Sequence, residues 1–182
     1  RDKDVANAII YAVDNGASII NMSFGKAHAW DKKAVDKAVK YAEKNDVLLV
    51  HAAGNDGKDN DSTENYPNDS YTKKRFLRKN KTKYVNNWIE VGAASWEKAE
   101  KIAAPFSNYG AKNVDVFAPG MQIYSTTPDG TYQNQQGTSM ASPVVAGVAA
   151  VLRSYYPSLT AEQVKNIIME SLPQNQDKDI IL

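Results

Sequence analysis

The chain has 182 residues, of which 42% are hydrophobic and 24% are charged. This length allows one packed domain, and the composition is too polar for a membrane span. The formal charge of +1 gives no support for a nucleic-acid partner, and the absence of cysteine excludes disulfides, thiolate metal sites and a cysteine nucleophile.

Both ends of the sequence look like places at which a longer protein has been cut. The first residue is Arg1 rather than Met, and no apolar signal-peptide core follows it. The last four residues, 179–182, resemble an apolar strand that stops short. We therefore expect the chain to be a part of a larger one.

The first third of the chain alternates helical and strand patterns. Apolar residues recur at helical spacing from Val5 to Val13, and Asn15-Gly16 ends the pattern. Residues 17–24 and 47–53 are apolar runs that predict buried strands. Between them, an amphipathic helix is expected from about Asp31 to about Asn45. This alternation predicts right-handed βαβ units and a parallel sheet.

The middle of the chain changes character. Residues 56–87 are rich in Asn, Asp, Lys and Tyr and show no period, which predicts a long polar surface excursion. Two further strands are expected over residues 88–95 and 114–118, and Pro119-Gly120 ends the second of them.

Two helices are predicted near the C-terminal end. The first runs from near Ser139 to about Tyr155 and is apolar on nearly every side, so we expect it to be buried on all faces. Pro157 prevents its continuation. Thr160 and Gln163 have the spacing of a capping box at the start of the second helix.

The most informative segment is Gly-Thr-Ser-Met-Ala-Ser-Pro over residues 137–143. A serine at the N-terminus of a helix can supply both the attacking Oγ and, through its unpaired N–H, one donor to an oxyanion. Gly137 lets a substrate approach closely. For a serine taken alone, an ordinary helix N-cap beside a glycine turn would be the simpler interpretation.

This segment resembles the nucleophile motif of the subtilase family (peptidase S8), Gly-Thr-Ser-Met-Ala-x-Pro, at every fixed position. It is not the Gly-x-Ser-x-Gly elbow of α/β-hydrolases, because Ala141 stands where that motif needs Gly. The resemblance implies a three-layer α/β fold with a parallel sheet, incomplete here because upstream strands are missing. It also implies a serine endopeptidase whose nucleophile is Ser139.

A second segment, Ala-Ala-Gly-Asn over residues 52–55, follows the second predicted strand directly. A carboxamide at this place can donate to a developing oxyanion, and Asn55 matches the oxyanion asparagine of subtilases. Removing such a donor costs about 10²–10³ in kcat, a magnitude that comes from a subtilisin itself. Without Ser139, an Asn-Asp-Gly turn would be an equally good interpretation.

A third segment, Asn-Met-Ser-Phe-Gly over residues 21–25, resembles the subtilase strand that pairs with an extended peptide. Its end would form one wall of the primary specificity pocket, and residues 52–54 would form the opposite wall. A plain strand end is the alternative for this segment in isolation. The substrate-binding residues implied by the resemblance are Ser23, Phe24, Gly25, Ala52, Ala53, Gly54 and Thr138.

The catalytic base and its orienting acid are not recognisable in this chain. A serine nucleophile needs both, and in subtilases both precede the region represented here. Neither His28 nor His51 lies in the family's His-Gly-Thr pattern, so we expect His28 at the surface and His51 in a buried or pocket-lining position. The chain alone is therefore expected to be inactive, and the intact parent protein to be an endopeptidase.

The resemblance also sets expectations for partners and location. The partners would be a protein or peptide substrate and the missing N-terminal half of the same catalytic domain. Without that half, the sheet edge beside residues 17–24 would be exposed and would favour self-association. A noncatalytic module that binds peptides or a partner is the alternative function. Secretion or periplasmic export is expected from family habit alone.

No cofactor is required for this chemistry, and no metal ligand is assigned. The acidic run that contains Asp56, Asp59, Asp61 and Glu64 raises the question of structural calcium, but it lacks the central glycine of a calcium loop. A solvated loop is the favoured interpretation. Basic residues also cluster over residues 73–83, where an exposed face is expected.

Overall fold

The computed structural model describes residues 1–73, 81–95 and 102–171. The segment at 179–182, which resembled a strand in the sequence, lies outside the described residues, as does most of the basic cluster. The described elements, in chain order, are α1 (Asp2–Asp14), β1 (Ile19–Met22), α2 (Lys32–Lys44), β2 (Leu48–Ala52), β3 (Ser70–Lys73), β4 (Lys81–Tyr84), β5 (Trp88–Ala94), β6 (Val116–Pro119), β7 (Ile123–Thr127), β8 (Thr131–Gln135), α3 (Thr138–Tyr155) and α4 (Ala161–Ser171).

The centre of the fold is a four-stranded parallel sheet in the order β1-β2-β5-β6. All five residues of β2 are buried, and four of them are apolar, as expected for a central strand of a parallel sheet. The core on one face includes Ile9, Val39 and Trp88, from α1, α2 and the sheet. The core on the other face includes Val145 and Val164, from α3 and α4. The predicted three-layer α/β architecture is confirmed.

The predicted helix boundaries agree with local hydrogen bonds. Asp31 accepts a hydrogen bond from Ala34 N–H at 3.2 Å and caps α2. The capping box before α4 forms in both directions, from Thr160 N–H to Gln163 Oε1 at 2.9 Å and from Gln163 N–H to Thr160 Oγ1 at 3.2 Å. Gly16, with φ of 81°, follows the end of α1 in the left-handed region.

The structure differs from the sequence-based expectations in three respects. The excursion at 56–87 is not wholly irregular, because β3 and β4 pair within it as an antiparallel sheet. A second antiparallel pair, β7 and β8, was not predicted. The expectation that α3 is buried on all faces is wrong, since Val148 and Val151 are 48% and 58% exposed.

None of the helices in the described part of the chain combines the length and the apolar character that crossing a membrane requires.

Candidate active site

Ser139 lies in the first turn of α3, at the carboxyl end of the parallel sheet. It is the second residue of the helix, so its N–H has no partner within the helix. Gly137, with φ of 144°, turns the chain into α3 immediately before it. The hydroxyl and the N–H of Ser139 thus occupy the positive end of the helix dipole, where negative charge is stabilised.

The end of β1 is fastened to this helix turn by reciprocal hydrogen bonds. Ser139 Oγ donates to the Ser23 carbonyl at 3.1 Å, and Ser23 Oγ donates to the Ser139 carbonyl at 2.8 Å. Next to them, Asn21 Nδ2 donates to Ser23 Oγ at 2.9 Å and Asn21 Oδ1 accepts from the buried Ser142 hydroxyl at 2.7 Å. Ser139 is therefore held directly beside the strand that was predicted to bind substrate.

Asn55 reaches α3 from the end of β2. Its Oδ1 accepts from Thr138 N–H at 2.8 Å and from Thr138 Oγ1 at 3.0 Å. Thr138 Oγ1 in turn accepts from Gly54 N–H at 3.2 Å. Because both Thr138 groups bond to the oxygen, the Nδ2 donor of Asn55 is left without a partner among the described residues.

Ser139 and Asn55 line one open cleft of about 630 Å³. Five of the predicted substrate-binding residues line it as well, namely Phe24, Gly25, Ala52, Gly54 and Thr138. Ala53 is fully buried behind the wall, and Ser23 contacts Ser139 at its edge. The roles of these residues remain predictions, but the structure brings the predicted set together at one place.

Asparagine side chains hold the cleft wall, and the sequence reasoning did not single them out. Asn65 Nδ2 donates to the carbonyls of Ala52 and Ala53 at 3.3 and 3.0 Å. Asn108 Nδ2 donates to the Ala53 carbonyl at 2.9 Å, while its Oδ1 accepts from the backbone N–H of Asp56 and Lys58 at 3.0 Å. These bonds satisfy the buried backbone just beyond β2. Two sequence segments that resemble those of subtilases lie at these asparagines: Tyr66-Pro67 directly follows Asn65, and residues 106–110 contain Asn108.

The two histidines lie where the sequence predicted. His28 is exposed, with its ring 4.8 Å from that of Trp30. His51 is fully buried, and both of its ring nitrogens face Glu90 or the Phe24 carbonyl. Neither histidine is hydrogen-bonded to Ser139, so no base for the nucleophile stands within the part of the chain that the structure describes.

A second, polar cavity of about 550 Å³ lies beneath the β3–β4 pair and carries several carboxyl groups. Burial and the neighbouring negative charges of Asp115 and Glu90 raise the pKa of Asp69 to about 6, against the opposing effect of Lys165. Lys165 Nζ lies 3.1 Å from Asp115 Oδ1. Among residues 1–73, 81–95 and 102–171, no three acidic or histidine side chains are grouped to share a metal ion.

The acidic run after Asn55 is used within the protein. Asp61 accepts hydrogen bonds from the backbone N–H of Lys112 and Asn113 at 2.9 to 3.1 Å. Asp59 Oδ1 accepts from Asp61 N–H at 2.8 Å. These contacts give Asp59 and Asp61 a structural role in ordering the loop.

Sequence comparison places similar proteins among bacterial peptidases. A model of the subtilase family matches residues 1–180. Subtilisin DY of Bacillus licheniformis is 41% identical over 165 residues, which are 89% of this chain and 52% of that protein. Thermitase of Thermoactinomyces vulgaris is 41% identical over 150 residues, covering 82% of this chain and 45% of that protein. The chain thus spans about half the length of these curated relatives.

Comparison with solved structures also finds a subtilisin-like protein. A cold-adapted subtilisin-like serine proteinase superposes with a TM-score of 0.78 at 29% identity, and the match covers 99% of this chain and 59% of that one. Sphericase superposes with a TM-score of 0.76 at 29% identity, covering 93% and 55% of the two chains.

Proposed function

Because the chain belongs to the subtilase family of serine peptidases, we propose that it carries the nucleophile and the oxyanion donors of a serine endopeptidase. The observation that carries the proposal is the fixed orientation of Asn55. With Oδ1 bonded to both groups of Thr138, the amide donor has no partner among the described residues, and Asn55 lines the same cleft as Ser139.

In this proposal Ser139 Oγ attacks the carbonyl carbon of a peptide bond. The carbonyl oxygen becomes an oxyanion, and two donors stabilise it: the Ser139 N–H at the helix N-terminus and Asn55 Nδ2. Collapse of the tetrahedral intermediate expels the amine and leaves an acyl-enzyme on Ser139, which water then hydrolyses.

The Ser139 proton must pass to a general base, and neither histidine of this chain can take that role. His51 is fully buried with both nitrogens engaged, and His28 is exposed with its ring against Trp30. We propose that the base and its orienting acid come from the remainder of the parent domain. The chain by itself would then be inactive.

Peptide binding would follow the two walls of the cleft. The Ser23–Gly25 wall would pair with the substrate backbone as an added strand, opposite Ala52, Ala53 and Gly54. Thr138 would act through Asn55, since its side chain is only 1% exposed and its hydroxyl is occupied.

An exposed apolar stripe on α3 supports the proposal that an N-terminal half of the domain packs here. Val144, Val148, Val151 and Tyr155 are 38%, 48%, 58% and 77% exposed. They are spaced by three or four residues and so share one face of the helix. β1, at the edge of the sheet, offers a second surface. In the chain alone, the same surfaces would promote self-association.

Two further proposals rest on the family alone. We infer that the parent protein is secreted or periplasmic, as is usual for subtilases. A noncatalytic subtilase-like module that binds a peptide or partner through the same cleft is the alternative function, and it would apply if the parent lacks the base and acid.

The test is labelling of the full-length protein with a fluorophosphonate, followed by mapping of the modified peptide. We expect Ser139 to be modified and Ser139→Ala to abolish both labelling and peptide hydrolysis. Asn55→Ala should lower kcat by about 10²–10³ with little change in KM. Labelling at another residue would contradict the assignment, and no labelling of a folded protein would favour the noncatalytic module.

A further inference from the structure

His51 lies at the centre of a buried polar network behind the cleft. The residue is 0% exposed. Its Nδ1 lies 2.9 and 3.0 Å from the two carboxyl oxygens of Glu90, and its Nε2 lies 2.7 Å from the Phe24 carbonyl oxygen. The indole N–H of Trp88 donates to Glu90 Oε2 at 2.8 Å. The network thus links β5, through β2, to the segment that follows β1.

The hydrogen-bond partners fix which ring nitrogen donates to the substrate-side segment. A carbonyl oxygen only accepts, so Nε2 of His51 must carry a proton. The carboxyl group of Glu90 meets Nδ1 with both oxygens and sets the plane of the ring, and the ring of Trp88 packs against it at 5.1 Å between centroids. An apolar side chain could fill this space, but it could not hold the Phe24 carbonyl.

Holding the Phe24 carbonyl has a consequence on the other side of the same peptide group. A trans peptide is planar, with its C=O and N–H pointing in opposite directions. The Phe24 carbonyl points into the protein toward His51, so the Gly25 N–H points away from it. Gly25 lines the cleft, and its N–H has no hydrogen-bond partner among the described residues.

The backbone on either side of the Phe24–Gly25 peptide group is held by other hydrogen bonds. The Ser23 carbonyl is bonded to Ser139 Oγ, and Lys26 pairs with Tyr66 through two backbone hydrogen bonds of 2.9 and 3.0 Å. Between these two anchors, His51 supplies the hydrogen bond to the Phe24–Gly25 peptide group.

We propose that His51, oriented by Glu90, is a positioning residue that aims the Gly25 N–H at a carbonyl of an extended peptide substrate. The proposal rests on the function proposed above. It assigns to the buried pair an effect on the binding of extended peptides and no part in the chemistry at Ser139.

Two near-isosteric variants of the full-length enzyme distinguish the hydrogen bond made by Nε2 of His51 from the contact made by its Nδ1. The amide nitrogen of Gln in His51→Gln takes the place of Nε2 and can still donate to the Phe24 carbonyl. His51→Asn places its amide near Nδ1, toward Glu90, and leaves the Phe24 carbonyl without a donor. We expect KM for an extended peptide to rise about 3- to 10-fold in His51→Asn, as for the loss of one hydrogen bond, and to stay within about twofold in His51→Gln.

The rate of Ser139 labelling by a small fluorophosphonate is the reference for each variant, because this probe does not extend along the β1 side. It should stay within about twofold when active enzyme is counted by titration. Val39→Ala, which creates a cavity on the buried face of α2, is the control. It should lower thermal stability without raising KM.

Equal KM values for His51→Asn and His51→Gln would overturn the positioning role, whereas wild-type enzyme that is not labelled at Ser139 would overturn the proposed function instead.

A measurement on the wild type keeps the test independent of variant folding. The Nε2 proton of His51 should appear as a slowly exchanging ¹⁵N-bound signal in the NMR spectrum. A ring with an unprotonated Nε2 would contradict the proposal.

Discussion

The two polar atoms of the Asn55 side chain have different surroundings. Its oxygen is bonded to the N–H and the hydroxyl of Thr138, at 2.8 and 3.0 Å. This leaves the amide nitrogen as the group that faces the cleft. A donor that is already oriented costs no reorganisation when charge develops in the transition state. In the proposed mechanism, Thr138 would therefore orient the donor that Asn55 offers to the oxyanion.

Thr138→Val tests this arrangement, since valine keeps the shape of threonine and removes the hydroxyl. We expect kcat of the full-length enzyme to fall about tenfold, because Asn55 loses one of its two restraints and Gly54 N–H loses its acceptor. Thr138→Ser, which retains the hydroxyl, is the matched control and should stay near wild type. Equal kcat values for the two variants would show that the hydroxyl has no role in orienting Asn55.

Asp69 is a single residue whose ionisation should cost stability. Its pKa of about 6 lies above the ordinary value of 3.8, so the folded state binds more protons than the unfolded state between these values. Stability therefore falls as pH rises through this window, and the loss is complete above about pH 6. We expect Asp69→Asn to be more stable than wild type by about 2 kcal/mol at pH 7, after allowance for partial solvent screening.

The measurement is denaturant unfolding of full-length protein at pH 4 and pH 7, with Ser139→Ala as background to prevent self-digestion. At pH 4 the wild type and Asp69→Asn should nearly coincide. A stabilisation that is the same at both pH values would point to packing rather than to charge.

At the scale of elements, the contact between β1 and α3 unites the two halves of the site. Asn21 bonds to Ser23 on its own strand and to Ser142 on the helix. Ser142 is 0% exposed, so its hydroxyl depends on this partner. The contact explains why a polar asparagine stands at the end of an otherwise apolar strand.

Asn21→Ala should destabilise the protein by about 1–3 kcal/mol, because the buried Ser142 hydroxyl is left without its acceptor. The double variant Asn21→Ala/Ser142→Ala should recover part of that loss, since both polar groups are then removed. Unfolding free energies of the single and double variants measure the coupling. Strictly additive effects would indicate that the hydrogen bond contributes nothing.

The elements also show what local sequence patterns can and cannot predict. The strands β2 and β5 were predictable because they are buried and mostly apolar, with His51 and Glu90 as their polar members. The helix α2 was predictable because its apolar face repeats at helical spacing. The β7–β8 pair was missed because most of its residues are exposed on both faces, so no alternation marks it. Its stability comes from cross-strand contacts such as the stacked rings of Tyr124 and Tyr132.

The place of the candidate site was predictable where a motif occupies consecutive residues, as around Ser139 and Asn55, which line one cleft. The supporting contacts were not, because they join distant parts of the chain. Asn108 bonds to the Ala53 carbonyl 55 positions away, and His51 meets Glu90 39 positions away. A buried or pocket-lining position was predicted for His51, but its partner Glu90 was not. Such pairs become visible only when the sheet register is known.

At the scale of the molecule, the described residues form a three-layer unit with one apolar helix face left open. The stripe of Val144, Val148, Val151 and Tyr155 on α3 is the face on which the burial prediction failed. No element of the described ranges covers that face. An exposed stripe of this kind favours association.

The isolated chain should accordingly self-associate in sedimentation velocity at high concentration. Val148→Lys/Val151→Lys should shift the distribution toward monomer, because two charges then interrupt the stripe. Asn7→Lys/Ala8→Lys, at two exposed positions of α1, is the matched control because it adds the same two positive charges at another helix. A wild-type chain that remains monomeric at all concentrations would contradict the prediction.

Ser139 and Asn55 are proposed to hold an oxyanion together, and a crystal structure of the full-length enzyme with a phosphonate bound to Ser139 tests this most directly. We predict that one phosphonyl oxygen lies about 2.7–3.1 Å from both Asn55 Nδ2 and the Ser139 backbone nitrogen. A phosphonate attached to Ser139 whose oxygens all point away from Asn55 would contradict the account.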